Sequence, residues 1–483
     1  METTYSFVGR HHQATTMLHL LETPRSEMLA VIGRRRVGKT ELIWQSLGAR
    51  FDFEITGIQH ATTSAQLKNF ANKYNEYAKP SIPIAPPRNW QDAFQLLKDW
   101  LSKRRSKKKI VLFFDEIPWI ATKRSNFLEL IGHFWNDWAV RNNVLLIICG
   151  SAASWMIKQV VHHKGSLHNR ITHQMHLKPF TLAETEQMLL SRGIQLERMQ
   201  VALLYMVTGG IPFYLAPLEK GKSVPQYINQ LCFKTGGVLT NEFEKLFASL
   251  YERPDNHVAV IKALATKWNG MTRAELVAVS KLADGGTFTK VLDELETSDF
   301  ISSSAPFDKK KKDTLYRLTD PFCLFYLKFM QDLKKNQVQS FEQIAQSQAF
   351  KSWAGYAFEN ICYYHLPHLQ RALGISGVAT AVSGYLFKGN EEQKGLQIDM
   401  VLDRADGIIH LCEMKFYQAP FTITKAYADE LRERRVQFSE LTGTRKSVYL
   451  LLVSPFGLSE NPYKFLPEHQ FDLEYLFNDI PVD

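Results

Sequence analysis

Two stretches of this 483-residue chain carry residue types whose order could do chemistry, and they lie far apart. The first is Val31-Ile32-Gly33-Arg34-Arg35-Arg36-Val37-Gly38-Lys39-Thr40-Glu41-Leu42-Ile43, an apolar strand end, then Gly-x-x-x-x-Gly-Lys-Thr, then an apolar helix start. Its glycines let backbone N–H groups turn inward around an anion. Lys39 supplies a point charge for the outer phosphates, and the Thr40 hydroxyl can sit on Mg²⁺. The run Lys109-Ile110-Val111-Leu112-Phe113-Phe114-Asp115-Glu116 fits a strand buried on both faces of a parallel sheet. Its acids then land at the carboxyl end, where open α/β sheets bind ligands. Asp115 is expected to hold Mg²⁺ through its water shell and Glu116 to polarise the attacking water. A third apolar run from Val144 ends on Gly150 and Ser151; that hydroxyl could sense a terminal phosphate or simply belong to a turn.

The second stretch is C-terminal. Gln397-Ile398-Asp399-Met400-Val401-Leu402 and Ile408 to Phe416 read as strands, and Gly355 to Asn360, with Glu359, starts an amphipathic helix. Along an alternating strand Glu413 and Lys415 share one face and Met414 takes the other. Asp399 and Glu413 would bind a hard cation, Mg²⁺ or Mn²⁺, with the Met414 carbonyl as a further oxygen and Glu359 completing the shell. Lys415 would position or deprotonate the attacking water. An acid followed by Glu-x-Lys resembles the PD-(D/E)xK nucleases, although Ile398 stands where that family normally has proline. The resemblance implies a restriction-endonuclease-like α/β fold acting on nucleic acid, with DNA the expected substrate. A degenerate fold that binds DNA or a protein without cutting remains the alternative. The helical stretch Tyr427 to Phe438, with Arg432, Arg434, Arg435 and Gln437, could support a phosphate but reads first as a solvated face.

Phe7-Val8-Gly9-Arg10, the phosphate loop, Asp115-Glu116 and Thr208-Gly209-Gly210-Ile211-Pro212-Phe213-Tyr214-Leu215 together resemble the archaeal-type ATPase family, in the signal-transducing branch of the AAA+-like ATPases. That resemblance implies ATP as the ligand, Gly9 and Arg10 on the adenine side, and Pro212 reaching the nucleotide from a helical lid. It also implies that Arg170 touches a phosphate, in its own subunit or a neighbouring one of a homo-oligomer; from the residues alone a plain surface arginine is the alternative. Read from the residues alone, Gly209 to Pro212 says only that one helix ends and another begins.

These centres must be held by several domains, because 483 residues exceed one hydrophobic core. The expected division is a P-loop ATPase core over 1–179, a helical lid over 180–250, a winged helix-turn-helix over 251–333 and the nuclease-like domain over 345–483. The winged-helix reading rests on three helical segments, His257 to Trp268, Thr272 to Lys281 and Thr287 to Glu296, followed by a two-stranded hairpin. Lys309, Lys310, Lys311 and Lys312 would tip its wing beside phosphates or merely solvate a loop. The basic run Lys103 to Lys109 reads as a solvated connection, with a nucleic-acid patch the alternative. A net charge of +9 suits an acidic partner without requiring one. Five cysteines without paired spacing suit a reduced, cytoplasmic protein, and no apolar run is long enough to predict a membrane span.

Overall fold

The unbroken apolar runs become the strands of one parallel sheet. The computed structural model describes residues 7–48, 50–104, 108–162, 165, 167, 169–307, 313–332, 340–391 and 393–478. These fall into two units, 7–178 and 179–478. The first holds β1 (Glu27–Ile32), β2 (Phe53–Thr56), β3 (Ile110–Asp115), β4 (Val144–Gly150) and β5 (His173–His176). Their order is β2-β3-β4-β1-β5, and every pair is parallel. β1 and β4 are buried along their whole length, so neither alternates in polarity. A helix runs Trp90–Ser102, capped where the Asn89 side chain accepts from the Asp92 N–H. Its Trp90 and Phe94 join Phe53, Phe70, Phe114 and Phe127 in an aromatic core, with Trp90 edge-on to Phe127 at 4.8 Å. Of the basic run, residues 105–107 lie outside the described residues.

The second unit begins with helices Leu182–Ser191, Arg198–Thr208, Pro212–Leu215, Val224–Ile228 and Glu242–Leu250. The boundary expected between residues 250 and 251 follows. Helices Pro254–Leu264, Arg273–Ser280 and Gly286–Thr297 then surround a sheet of β6 (Met271–Thr272), β7 (Ile301–Ser304) and β8 (Leu315–Leu318). That sheet is antiparallel in the order β6-β8-β7, so it has three strands where the sequence predicts two. β6 is only two residues long, too short to alternate, and it ends in the capping box of Thr272 and Glu275. Lys309 to Lys312 lie outside the described residues.

Farther along, β9 (Thr380–Phe387), β10 (Leu396–Arg404), β11 (Ile408–Met414), β12 (Ser447–Val453) and β13 (His469–Phe471) form a mixed sheet. Its order is β13-β12-β11-β10-β9, antiparallel from β9 to β11 and parallel from β11 to β13. The helix Lys425–Thr442 packs Leu431 and Phe438 onto this sheet. β11 stops at Met414, two residues short of the expected Phe416, and the Lys415 N–H still donates to the Val453 carbonyl at 2.9 Å. All five cysteines are buried free thiols. Among the described residues no helix is long and apolar enough to cross a membrane.

Candidate functional site

In the first unit β1 delivers the chain into the loop Gly33 to Gly38, and the helix Lys39–Leu47 leads it out. Gly38 caps that helix at φ 89°, and Arg36 is also left-handed at φ 73°. Gly33 is sterically required: a Cβ there would lie 2.3 Å from the Leu177 carbonyl oxygen. Lys39 is 6% exposed and folds back on its own loop, donating to the carbonyls of Gly33 at 2.8 Å and Arg34 at 2.9 Å. The Thr40 hydroxyl donates to Asp115 Oδ2 at 2.9 Å, so motifs 75 residues apart meet. Arg34 and Val37 are buried, Arg35 and Arg36 half-buried, and Glu41 is exposed, accepting from Gln45.

Glu116 follows β3 in a left-handed turn at φ 49°. Its Oε2 accepts from the Ser151 backbone N–H at 3.0 Å and from the Ser151 hydroxyl at 2.9 Å. Burial pushes the Glu116 carboxyl above the usual carboxylate range, while the Lys39 charge and the Ser151 N–H pull it down. Sequence offered Ser151 as a phosphate sensor or a turn residue; here it grips the neighbouring acid. Gly57 completes the wall, since a Cβ on it would stand 2.7 Å from the Glu116 carbonyl oxygen.

The other residues expected here are more dispersed. Gly9 and Arg10 are left-handed at φ 69° and 58°, and buried Arg10 donates to the Lys178 carbonyl at 2.6 Å. Arg170 is exposed in the turn before β5. Pro212 belongs to the second unit, where it opens the helix Pro212–Leu215 after two left-handed glycines, Gly209 and Gly210.

The second unit gathers the C-terminal acids. Asp399 sits where the β9/β10 register shifts between Ile398 and Val401, an irregularity that re-aims a side chain. Glu413, near the end of β11, lies 3.2 Å from Lys415 Nζ, so the same-face expectation holds although Lys415 is just past the strand. The Asp399 carboxyl is raised by burial and then by Glu413, against Lys415, Arg317 and the Met414 N–H. Glu359, on the helix Gln348–Tyr364, is likewise raised by burial and by Asp399, and lowered by Arg317. These mutual effects bring Glu359, Asp399 and Glu413 into one electrostatic cluster.

The cluster also contains residues that the sequence did not single out. Arg434 Nη1 donates to Glu413 Oε1 at 2.5 Å, and the Tyr427 hydroxyl to Glu413 Oε2 at 3.2 Å. The reading of helix Lys425–Thr442 as a solvated face is therefore wrong for Arg434. Its charged side chains are too uniform to reveal which one turns toward the sheet. Arg317, on β8, bonds Glu359 Oε2 at 3.2 Å, and the Tyr363 hydroxyl donates to the Asp399 carbonyl at 2.6 Å. An arginine within a short strand carries no motif, so nothing local could have found it. Among the described residues no three His, Cys, Asp or Glu side chains are disposed to hold a metal ion. Both Glu413 oxygens already have donors.

Residues 7–218 match a family described as an ATPase domain predominantly from Archaea. This match makes the N-terminal part of the chain an archaeal-type P-loop ATPase domain built on a five-stranded parallel sheet. An uncharacterized protein of Methanocaldococcus jannaschii is 25% identical over 370 residues, 76% of this chain and 78% of that one. Among solved structures, a Walker-type ATPase of Pyrococcus abyssi is 18% identical with a TM-score of 0.48, over 66% of this chain and 96% of that one. The ORC2 protein of Aeropyrum pernix, solved as ADPNP–ADP complexes, is 12% identical with a TM-score of 0.43, over 68% and 95%.

Proposed function

We propose that the first unit binds ATP with Mg²⁺ and hydrolyses it, and that this cycle governs a DNA-binding winged helix and a metal-dependent, nuclease-like domain. The observation that carries the ATPase reading is the Thr40–Asp115 bond at 2.9 Å beside Glu116. Two hard oxygens that already meet suit a Mg²⁺ shell, and Lys39 would exchange its loop carbonyls for phosphate oxygens. Glu116 would orient the water once Ser151 releases it. Gly9, Arg10, Pro212 and Arg170 keep the roles implied by the family resemblance, Arg170 acting in its own or a neighbouring subunit. Lys39→Ala should abolish nucleotide binding in equilibrium dialysis; turnover like wild type in that variant would end the reading.

The helices Pro254–Leu264, Arg273–Ser280 and Gly286–Thr297 with the β6-β8-β7 sheet support the winged-helix assignment, with Gly286–Thr297 as the element offered to a groove. For the last domain, Asp399, Glu413 and the Met414 carbonyl are the oxygen donors that suit Mg²⁺ or Mn²⁺, with Glu359 beside them. A bound cation there would supply charge for an attacking water and a phosphodiester. Lys415, 3.2 Å from Glu413, would hold that water. A second reading has its own support: Arg434 and Tyr427 already satisfy Glu413, which favours a charge-compensated fold that binds DNA or a protein partner without cutting. Mn²⁺ titration calorimetry on wild type and Asp399→Ala, with cleavage assays on single- and double-stranded DNA and RNA, separates the two. No metal binding and no cleavage selects the non-cutting fold.

A further inference from the structure

Arg317 joins the acid cluster from outside the mixed sheet and its helices; β8 supplies it. Its side chain is 11% exposed. The guanidinium lies 5.3 Å from the Tyr356 ring centre and 4.9 Å from that of Tyr363, so two aromatic rings fix it. Nη2 meets Glu359, while the Nε–H is buried with no acceptor. A buried donor without an acceptor is costly, so an acceptor that reached this N–H would be favoured.

Arg317 lines a cleft whose walls come from two sources. Asn269, Ser304 and Leu315 belong to the three-helix module; Glu359, Gly384, Gln397 and Asp399 belong to the mixed-sheet module. Asn269 bridges the walls by donating to Gln397 at 2.9 Å, and the Phe307 N–H donates to the Gly384 carbonyl at 3.0 Å. The free space is about 30 Å³. A water needs roughly 10–15 Å³, so the cleft as it stands admits water but not a phosphate. The place beside the guanidinium that suits an oxyanion is taken by the Glu359 carboxylate. A planar fork that pairs with carboxylate pairs equally well with phosphate.

We propose that Arg317 is a phosphate-binding residue, with Glu359 standing in for the phosphodiester of a nucleic acid strand. This rests on the nucleic-acid reading of the same site given above. A strand entering between the two modules would displace Glu359 from Arg317, leaving that carboxylate free to turn toward Asp399 and Glu413. The anion site is composite, since neither module contains both its cation and its acids.

The test is binding of a fluorescein-labelled oligodeoxythymidylate to the full-length protein in EDTA, followed by anisotropy, with inorganic phosphate as competitor. Arg317→Met should weaken binding about 10-fold, the scale of one charge-assisted hydrogen-bond pair. Arg317→Lys should restore part of it. Glu359→Gln should tighten binding several-fold by releasing the guanidinium, and the double variant should fall back to the Arg317→Met level. A purely structural ion pair predicts that both single variants weaken binding or leave it unchanged; an untightened Glu359→Gln overturns the proposal even if Arg317→Met fails to fold. An oligomer with a neutral methylphosphonate backbone should lose the Arg317 dependence, and retention of that dependence overturns the proposal too. Competition by free phosphate at concentrations comparable to the oligonucleotide would assign the site to phosphate itself and overturn the strand assignment. Because EDTA removes metal, the outcome is separable from cleavage. Arg317-dependent binding without cleavage under any metal would sink the nuclease reading alone, and cleavage without Arg317 dependence would sink this inference alone.

Discussion

His365 joins the helix Gln348–Tyr364 to the start of Leu182–Ser191 and makes the stability of the second unit depend on pH. The ring is fully buried. Nδ1–H donates to the Ile361 carbonyl at 2.9 Å, and Nε2 accepts the Leu182 N–H at 2.9 Å, so the neutral tautomer is the one required. Burial, with His368 second, lowers its pKa to about 3. The unfolded value is about 6.5, so the unfolded chain takes up the proton first as pH falls. The contribution is complete above about pH 6.5, declines toward a limit of about 1.4 kcal/mol per pH unit, and is spent below about pH 3. Between pH 7 and pH 5 the loss from this residue is about 2 kcal/mol. His365→Leu, neutral throughout and without an acceptor, should be less stable than wild type by about 2 kcal/mol at pH 7, because the Leu182 N–H loses its acceptor. At pH 5 the two proteins should nearly coincide. Urea denaturation at both pH values, with hydrogen exchange at the Leu182 amide as the local probe, reads the gap directly. A gap of equal size at pH 7 and pH 5 refutes the assignment of a neutral acceptor. His410, also buried and lowered to about 4, adds the same sign to both proteins and cancels in the comparison.

Three further outcomes follow from the sites. Glu116→Gln should keep nucleotide affinity within a few-fold and slow phosphate release at least 100-fold, the lower range for losing a general base; a smaller loss means that another group handles the water. Gly57→Ala should cost about 1–3 kcal/mol in thermal unfolding and slow hydrolysis, because its methyl meets the Glu116 carbonyl oxygen at 2.7 Å. Unchanged melting and turnover would show that this wall yields freely. Arg434→Ala removes the 2.5 Å donor on Glu413 and should tighten Mn²⁺ binding several-fold in calorimetry; weaker binding would make Arg434 a support for the metal rather than its competitor.

What the sequence made legible was whatever is local. Gly33, Gly38, Lys39 and Thr40 are contiguous, so backbone geometry dictates their shared role, and the apolar run ahead of Asp115 fixes its place at a strand end. Glu413 and Lys415 obey a period of two and meet as that period requires. The register shift beside Asp399 depends on β9, which its own residues do not reveal. Arg434 and Arg317 reach their acids from 21 and 42 residues away, and no spacing rule spans such distances. Ser151 was singled out, but its bonds to Glu116 were not legible, because a strand-end serine advertises a hydroxyl and not its direction. The strand β6 escaped because two residues cannot display a period.

The origin of Arg317 bears on how this chain can be dissected. A fragment starting at residue 345 would retain Glu359, Asp399 and Glu413, yet Tyr356 and Tyr363 would lose the guanidinium that lies over their rings. Such an excised piece would carry surplus negative charge, and its inactivity or insolubility would say nothing about the intact protein. Scissors placed upstream of helix Pro254–Leu264 keep donor and acids on one polypeptide.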